Sequence, residues 1–536
     1  MAKKSRREFI KKGVTLAGAT AAAPALAQAA LLGGKQTIAR WDEEADVVIL
    51  GSGLAGCVSA IEAYETDHSA NILIVEKMPE RYAGGNSRVS GGALFIPQDL
   101  EALLTYRRAL DEPNPVPEDV VRTWGEAMVS QEAWIKQMAS DVGMKYVSRQ
   151  AVAEFTEFRG SSCVEYYSTI VPNPSGVWKA FKAQVDRRPI RVMYQTRAVD
   201  LVQDPDSLEI FGVLAEQHGK QMAIKARRAV VMCTGGFENN LDIQRNYSGL
   251  ERVYPLGTPG NTGDGIKMLQ KAGADMWHLR NRNFTSGIWP AMKFPEYEVA
   301  FIRNMHLTGS SWIDIGKDNR RFYNETVEWH STHYRQKVHG HWVDTPLAFV
   351  LPAHMIFDET TRKQDCLSMN TLTWNPVVEN CQWSPDNSAE IAKGWIKKAD
   401  TIRELARLIG RDPDEVETTV SRFNESCAAR SDPDFGRDPE RMGPIVTPPF
   451  YAVEIVPGIV CTTGGAKRNK KSQVLDHSGK PIPRLYEAGE LGSTFANLYE
   501  NGSFLTECMV FGRIAGRHAV AESPWTDTRS NRARKS

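Results

Sequence analysis

The residues that most plainly specify chemistry are six in a row, Gly51, Ser52, Gly53, Leu54, Ala55 and Gly56, followed later by Glu76 and Lys77. Between a strand and a helix, Gly51 permits a tight turn, Gly53 lets a pyrophosphate approach the backbone, and Gly56 lets the helix pack closely. The helix start then offers free N–H groups and a positive dipole end to the phosphates. Glu76 stands 25 residues beyond Gly51, where a carboxylate accepts the ribose hydroxyls of a dinucleotide.

The elements that must hold this turn are legible around it. ADVVIL (45–50) is an apolar strand signal directly before the glycines, CVSAIEAYE reads as a helix, and NILIVEK reads as a second strand. Further glycine-bearing segments follow: GGNSRVSGG (84–92), RAVVMCTGGF (228–237), NTGDGIKM (261–268) and LYEAGE (485–490). In NLYENGSFLTECMVFGRIAG (497–516), apolar residues recur at helical spacing from Phe504 through Leu505, Cys508, Met509, Phe511 and Ala515. Gly502-Ser503 suits the start of that helix.

At 536 residues, 42% hydrophobic and 24% charged, the chain is long enough for two or three domains with real cores. Lys+Arg and Asp+Glu both count 65, so no strong field draws nucleic acid, and that partner is not expected. The eight cysteines never fall as C-x-x-C, which argues against zinc ribbons, iron-sulfur runs and c-type haem, and no metal site is expected; disulfides stay open. At the start, SRREFIKKG with Arg6 and Arg7 precedes the mild apolar run VTLAGATAAAPALAQA and an A-x-A site at Ala25-Leu26-Ala27. This resembles a twin-arginine signal, implying export of the folded protein to the periplasm. Elsewhere no stretch approaches the ~18 apolar residues of a spanning helix, so no integral membrane segment is expected in the mature protein.

The five glycine-bearing motifs, in this order, resemble the flavoprotein superfamily of soluble fumarate reductases and 3-ketosteroid dehydrogenases. The resemblance covers about 44–280 and 450–522. It implies an α/β fold, a Rossmann-like doubly wound FAD-binding domain with an inserted α+β cap domain. The expected parts are a signal at 1–30, FAD-binding segments at 42–280 and 450–522, a cap at 281–449 and a mobile tail at 523–536. A helical insertion is expected around 98–150, and DTIRELARLIG with DPDEVETTVSRFNESCAA reads as a helix pair with Asp or Asp-Pro starts. The resemblance implies FAD contacts from the first glycine set with Glu76 and Lys77, from Asn86, Ser87, Gly91 and Gly92, from Thr234 and Gly235, and from Asp264 and Glu490, with Ala198 near the adenine. It also implies that the late helix aims its N-terminus, at Ser503, Phe504 and Leu505, toward the flavin pyrimidine, where positive charge raises the reduction potential.

The chain departs from these relatives where they bind substrate. Counting from Arg321 of NRRFYNE, the position of the fumarate reductases' arginine donor or the ketosteroid dehydrogenases' tyrosine base is Trp329, which cannot relay a proton. Cys461 and Tyr499 stand where dicarboxylate-binding histidine and arginine are implied, and Thr285 to Gly287 replace an HPT triplet. Without cationic clamps a doubly charged substrate would be desolvated uncompensated. Tyr499 becomes the expected group polarising a substrate carbonyl, with His330, His333 and Tyr334 the nearest proton-transfer candidates. Three readings follow: an exported reductase of a double bond conjugated to a carbonyl, acting on a neutral or weakly charged small molecule with a cytochrome- or quinol-linked electron partner; a dehydrogenase desaturating a ketone; and a non-catalytic flavin electron carrier.

Overall fold

A computed structural model of the chain describes residues 38, 40–172, 175–249, 253–284, 290–293, 300–301, 303–304, 307–326, 335–368 and 383–525. Two sheets organise it. The first runs in the order Gln473–Leu475, Pro481–Glu487 (β6), Lys220–Met232 (β4), Glu43–Leu50 (β1), Ile72–Val75 (β2) and Arg191–Met193 (β3). From β6 to β3 every neighbouring pair is parallel, and an antiparallel meander, Thr196–Gln203 with Ile210–Gln217, leads into β4. Parallel strands are covered on both faces, which is why β1 is a continuous apolar run. Val47 and Ile49 pack on one side with the helix Leu54–Thr66 (α1), while Val48 and Leu50 join a separate cluster on the other. Each such side chain contributes about 1.5–3 kcal/mol when fully buried, so the strand end that presents Gly51 is held rigidly.

The helix expected after Gly502 spans Ser503–Ala521 (α2) and lies along α1. Two glycines one turn apart make this possible: a Cβ on Gly516 would fall 2.2 Å from the Ser59 carbonyl oxygen and one on Gly512 3.0 Å from that of Ala55. Close packing runs the two helices parallel, with the start of α2 about two turns beyond that of α1, so Gly53–Ala55 and Gly502–Leu505 line different stretches of one cavity. The expected helical insertion is present as Leu100–Asp111, Glu118–Ser130 and Glu132–Ser140.

The second sheet is built around one long strand, Phe450–Thr462 (β5), which pairs with Pro290–Lys293, Ala353–Asp358 and Ile396–Ala399, and toward its end with Tyr254–Pro255 and Arg282–Phe284. The sequence assigns residues from 450 onward to the FAD-binding portion, yet β5 hydrogen-bonds to strands of the 281–449 segment. An apolar 13-residue strand carries no mark of which sheet it will join. The helix pair appears as Ile402–Leu408 and Pro413–Ala429. Asp412 caps the second, as expected, but Thr401 rather than Asp400 caps the first through Glu404 N–H. All seven described cysteines are free thiols.

Candidate active site

A cavity of about 430 Å³ opens where the first sheet's strand ends, the starts of α1 and α2, and the tip of β5 meet. At one end lie Glu76, Lys77, Thr196, Ala198, Asp264 and Met268. Glu76 follows β2 and its carboxylate is fixed by three donors, Ser52 N–H at 2.9 Å, Ser52 Oγ at 2.6 Å and Met78 N–H at 2.8 Å. Lys77 Nζ reaches Asp264 at 2.9 Å and Thr262 Oγ1 at 2.7 Å, and Arg197 reaches Asp264 at 2.6 Å. Burial alone would push the Asp264 carboxyl up, but Arg197 and Lys77 outweigh it and hold the group down at about 2. This end is ionised and salt-bridged.

In the middle, Ser87 Oγ accepts the Leu54 N–H at 3.1 Å, tying the GGNS loop to the start of α1. Asn86 Nδ2 donates to Glu238 Oε1 at 2.7 Å and to Glu490 Oε2 at 3.0 Å, and Thr462 N–H donates to Glu490 Oε1 at 3.0 Å. The two glutamates are buried against each other. Burial, reinforced by the charge of Glu238, pushes the Glu490 carboxyl well up, so the pair retains a proton.

The far end is lined by Gly91, Gly92, Ala93, Arg149, Glu154, Cys461, Tyr499, Asn501 and Phe504. The Tyr499 ring stacks on Phe504 with centroids 4.1 Å apart and meets Phe495 edge-on. Its hydroxyl oxygen accepts the Gly502 N–H at 2.9 Å. Burial raises the phenol well above its ordinary range, so it stays a neutral O–H donor. The loop that carries it is anchored by Glu507, which accepts Thr494 N–H at 2.7 Å and Ser493 Oγ at 2.6 Å.

The sequence matches the FAD binding domain family over residues 46–504. The chain belongs to that family. It is an FAD-dependent oxidoreductase. It is 28% identical to a digoxin reductase of Eggerthella lenta, covering 97% of each chain. It is 27% identical to the acrylate reductase flavoprotein subunit of Shewanella woodyi, covering 96% of this chain and 97% of that one. A vinyl phenol reductase of Lactiplantibacillus plantarum is 24% identical over 90% of this chain and 98% of its own. Among solved structures, the 3-ketosteroid delta1-dehydrogenase of Sterolibacterium denitrificans superposes with a TM-score of 0.73 at 20% identity, covering 89% of this chain and 100% of that one. The open form of a flavocytochrome c3 fumarate reductase does so with 0.66 at 22% identity, over 90% of this chain and 79% of that one. These two likenesses establish the fold.

The cavity of this family member fits FAD on its own observations. Thr234 Oγ1, on the wall, is buried with no partner among the described residues, as expected of a group reserved for a ligand. Two helix starts deliver positive dipole ends to it. Gly51, Ser52, Gly53, Leu54, Ala55, Glu76, Lys77, Asn86, Ser87, Gly91, Gly92, Ala198, Thr234, Gly235, Asp264, Glu490, Phe504 and Leu505 all line it. Two expected contacts do not. Gly56 lies behind the wall, where a Cβ would stand 2.0 Å from the Gly51 carbonyl oxygen, so its role is packing. Ser503 is fully buried beside the wall, and its N–H donates to the Glu500 carbonyl at 3.2 Å. His330, His333, Tyr334, Trp329 and Thr285 to Gly287 lie outside the described residues.

Sequence reasoning missed Glu154, Arg149, Asn261 and Glu238. The last was detectable, since it directly follows the TGGF motif; Glu154 and Arg149 lie in no motif. Arg321 is engaged by Glu325 at 2.7 Å and Asp432 at 3.0 Å, away from the cavity wall.

Proposed function

We propose that this protein is an exported reductase that saturates a carbon-carbon double bond conjugated to a carbonyl, on a neutral or weakly charged small molecule. The carrying observation is the chemistry of the far wall. Tyr499, Glu154 and Cys461 are neutral hydrogen-bonding groups, and one exposed arginine, Arg149, is the cation beside them among the described lining residues. A single exposed guanidinium does not offset the desolvation of two carboxylates. A phenol facing the substrate instead suits one carbonyl whose oxygen gains charge during reaction. Bound FAD supplies two electrons as hydride. Tyr499 polarises the carbonyl, and Phe504 and Phe495 fix its ring.

The names of the relatives support reduction of a conjugated double bond: acrylate carries one conjugated to a carboxyl carbonyl, vinyl phenol one conjugated to an aromatic ring, and both proteins are reductases. Electrons come from a separate cytochrome- or quinol-linked protein. Arg6-Arg7 and the Ala25-Leu26-Ala27 site support export. Replacing both arginines with lysine is expected to leave precursor in the cytoplasm, because a planar guanidinium is read where an ammonium is not. Normal periplasmic levels of the double-lysine variant would refute export.

The deciding experiment mixes anaerobically reduced protein with cyclohexenone, methyl acrylate, para-vinylphenol and fumarate, and oxidised protein with their saturated counterparts. Reoxidation by a conjugated acceptor is expected. Faster reduction of the oxidised flavin by a saturated ketone would instead make the protein a dehydrogenase, and no exchange in either direction would make it an electron carrier.

A further inference from the structure

We propose that Glu154 is the acid that protonates the substrate, and that Glu500, held by Tyr106 and Tyr167, positions it. The inference rests on the reductase reading above. Glu154 lines the cavity beside Tyr499, Asn501 and Cys461 while only 8% exposed. Its main-chain N–H donates to Glu500 Oε2 at 3.0 Å, so the two carboxyl-bearing residues are locked together. Glu500, 1% exposed, also accepts the hydroxyl of Tyr106 at 2.6 Å and that of Tyr167. Tyr106 in turn accepts the Phe155 N–H at 3.2 Å, and the Tyr167 hydroxyl lies 3.5 Å from the carbonyl of Val152, a residue 72% exposed.

Two carboxyls buried this close are costly unless at least one keeps its proton. Burial pushes Glu154 well above the carboxylate range, and burial with the neighbouring Glu154 pushes Glu500 up to about 8. Among the described residues the groups facing the pair include Tyr106, Tyr167, Tyr499 and the Cys163 thiol, with Arg149 on the same cavity wall. The purely structural reading is that Glu500 only anchors the turn at Glu154, a task a glutamine would perform equally.

Saturation takes two electrons and two hydrogens, one hydrogen arriving as hydride from a two-electron-reduced flavin to form the β C–H bond. The π pair moves toward the carbonyl oxygen at Tyr499, and as the α C–H bond forms the Glu154 O–H bond breaks. Glu154, left as carboxylate, regains a proton from solvent before the next turnover.

The test uses flavin-loaded wild type, E154Q, E154D and E500Q, with the cyclohexenone or methyl acrylate that reoxidises the wild type. E154Q is expected to slow reoxidation by about 10²- to 10⁴-fold, with FAD content and reduction by dithionite unchanged, and E154D to recover part of the rate. E500Q should move the alkaline limb of the reoxidation rate to lower pH, because a neighbouring negative charge is gone. In infrared titration of the protein itself, a protonated-carboxyl band of the wild type at neutral pH should be missing from E154Q. Equal wild-type and E154Q rates, or no band difference, would overturn the donor role alone. A wild-type flavin that no conjugated acceptor reoxidises would overturn the reductase reading and the donor role with it. If E154Q does not fold, an E154D at full rate with an unmoved E500Q pH limb overturns the proposal.

Discussion

The two ends of the cavity use the same residue types in opposite protonation states. At the Glu76 end, Asp264 is ringed by Lys77 and Arg197 and held at about 2. At the Tyr499 end, burial raises Glu154 well above its ordinary value and Glu500 to about 8. An ionised, cross-braced end is suited to holding a polar cofactor in one register. A protonated end enclosed by phenols is suited to giving protons and polarising a carbonyl. The placement of cations, rather than of carboxylates, makes the difference.

The largest test breaks the scaffold that both ends share. Gly56→Val would drive a side chain into the Gly51 carbonyl, and the protein is expected to be recovered without flavin, whereas denatured wild type should release FAD intact. Stable, yellow Gly56→Val protein would refute the packing role. Next, Tyr499→Phe touches only the far end. Turnover should fall by about ten- to a thousandfold, the effect of losing one donor to a developing oxyanion. Because Tyr499 also accepts the Gly502 N–H, stability should drop by about 1 kcal/mol. Full activity would move the carbonyl contact elsewhere.

Two smaller effects read the contrast by pH. Glu500 has a folded value near 8 against an ordinary 4.5, so the folded state holds the extra proton between them. Stability therefore falls as pH rises from about 4.5 toward 8, and Glu500→Gln should flatten that slope in denaturant titrations. Asp264 has the opposite sign. Its contribution is present above the ordinary 3.8 and lost as pH falls through about 2, so Asp264→Asn should cost stability at neutral pH and nothing in strong acid. Partial exposure limits the loss to about 1 kcal/mol. A pH-independent difference between Asp264→Asn and wild type would contradict the ion-paired picture.

The ionised end was largely legible in the sequence, because its residues sit in short glycine-marked motifs whose spacing is set by one strand-turn-helix. Gly51, Glu76 and Asp264 are found that way. The protonated end was not. Glu154 and Glu500 meet across 346 residues, and Glu154 stands in VAEFTEF, a stretch without periodicity or turn signal. Tyr499 was picked out by its motif, but its hydrogen bond to Gly502 depends on a left-handed turn at φ 80° that the sequence only hints at with a glycine. The membership of β5 was hidden for the same reason as the Glu154–Glu500 contact: an apolar strand does not name its neighbours.

A single-turnover measurement asks whether the far end of the flavin site serves one conjugated carbonyl. Anaerobically reduced wild-type protein is mixed separately with equal concentrations of methyl acrylate, cyclohexenone and fumarate, and flavin reoxidation is followed. Rapid reoxidation and a saturated product are expected with at least one neutral acceptor, and fumarate should leave the flavin reduced. Rapid reoxidation by fumarate, with the neutral acceptors inert, would contradict that role of the far end.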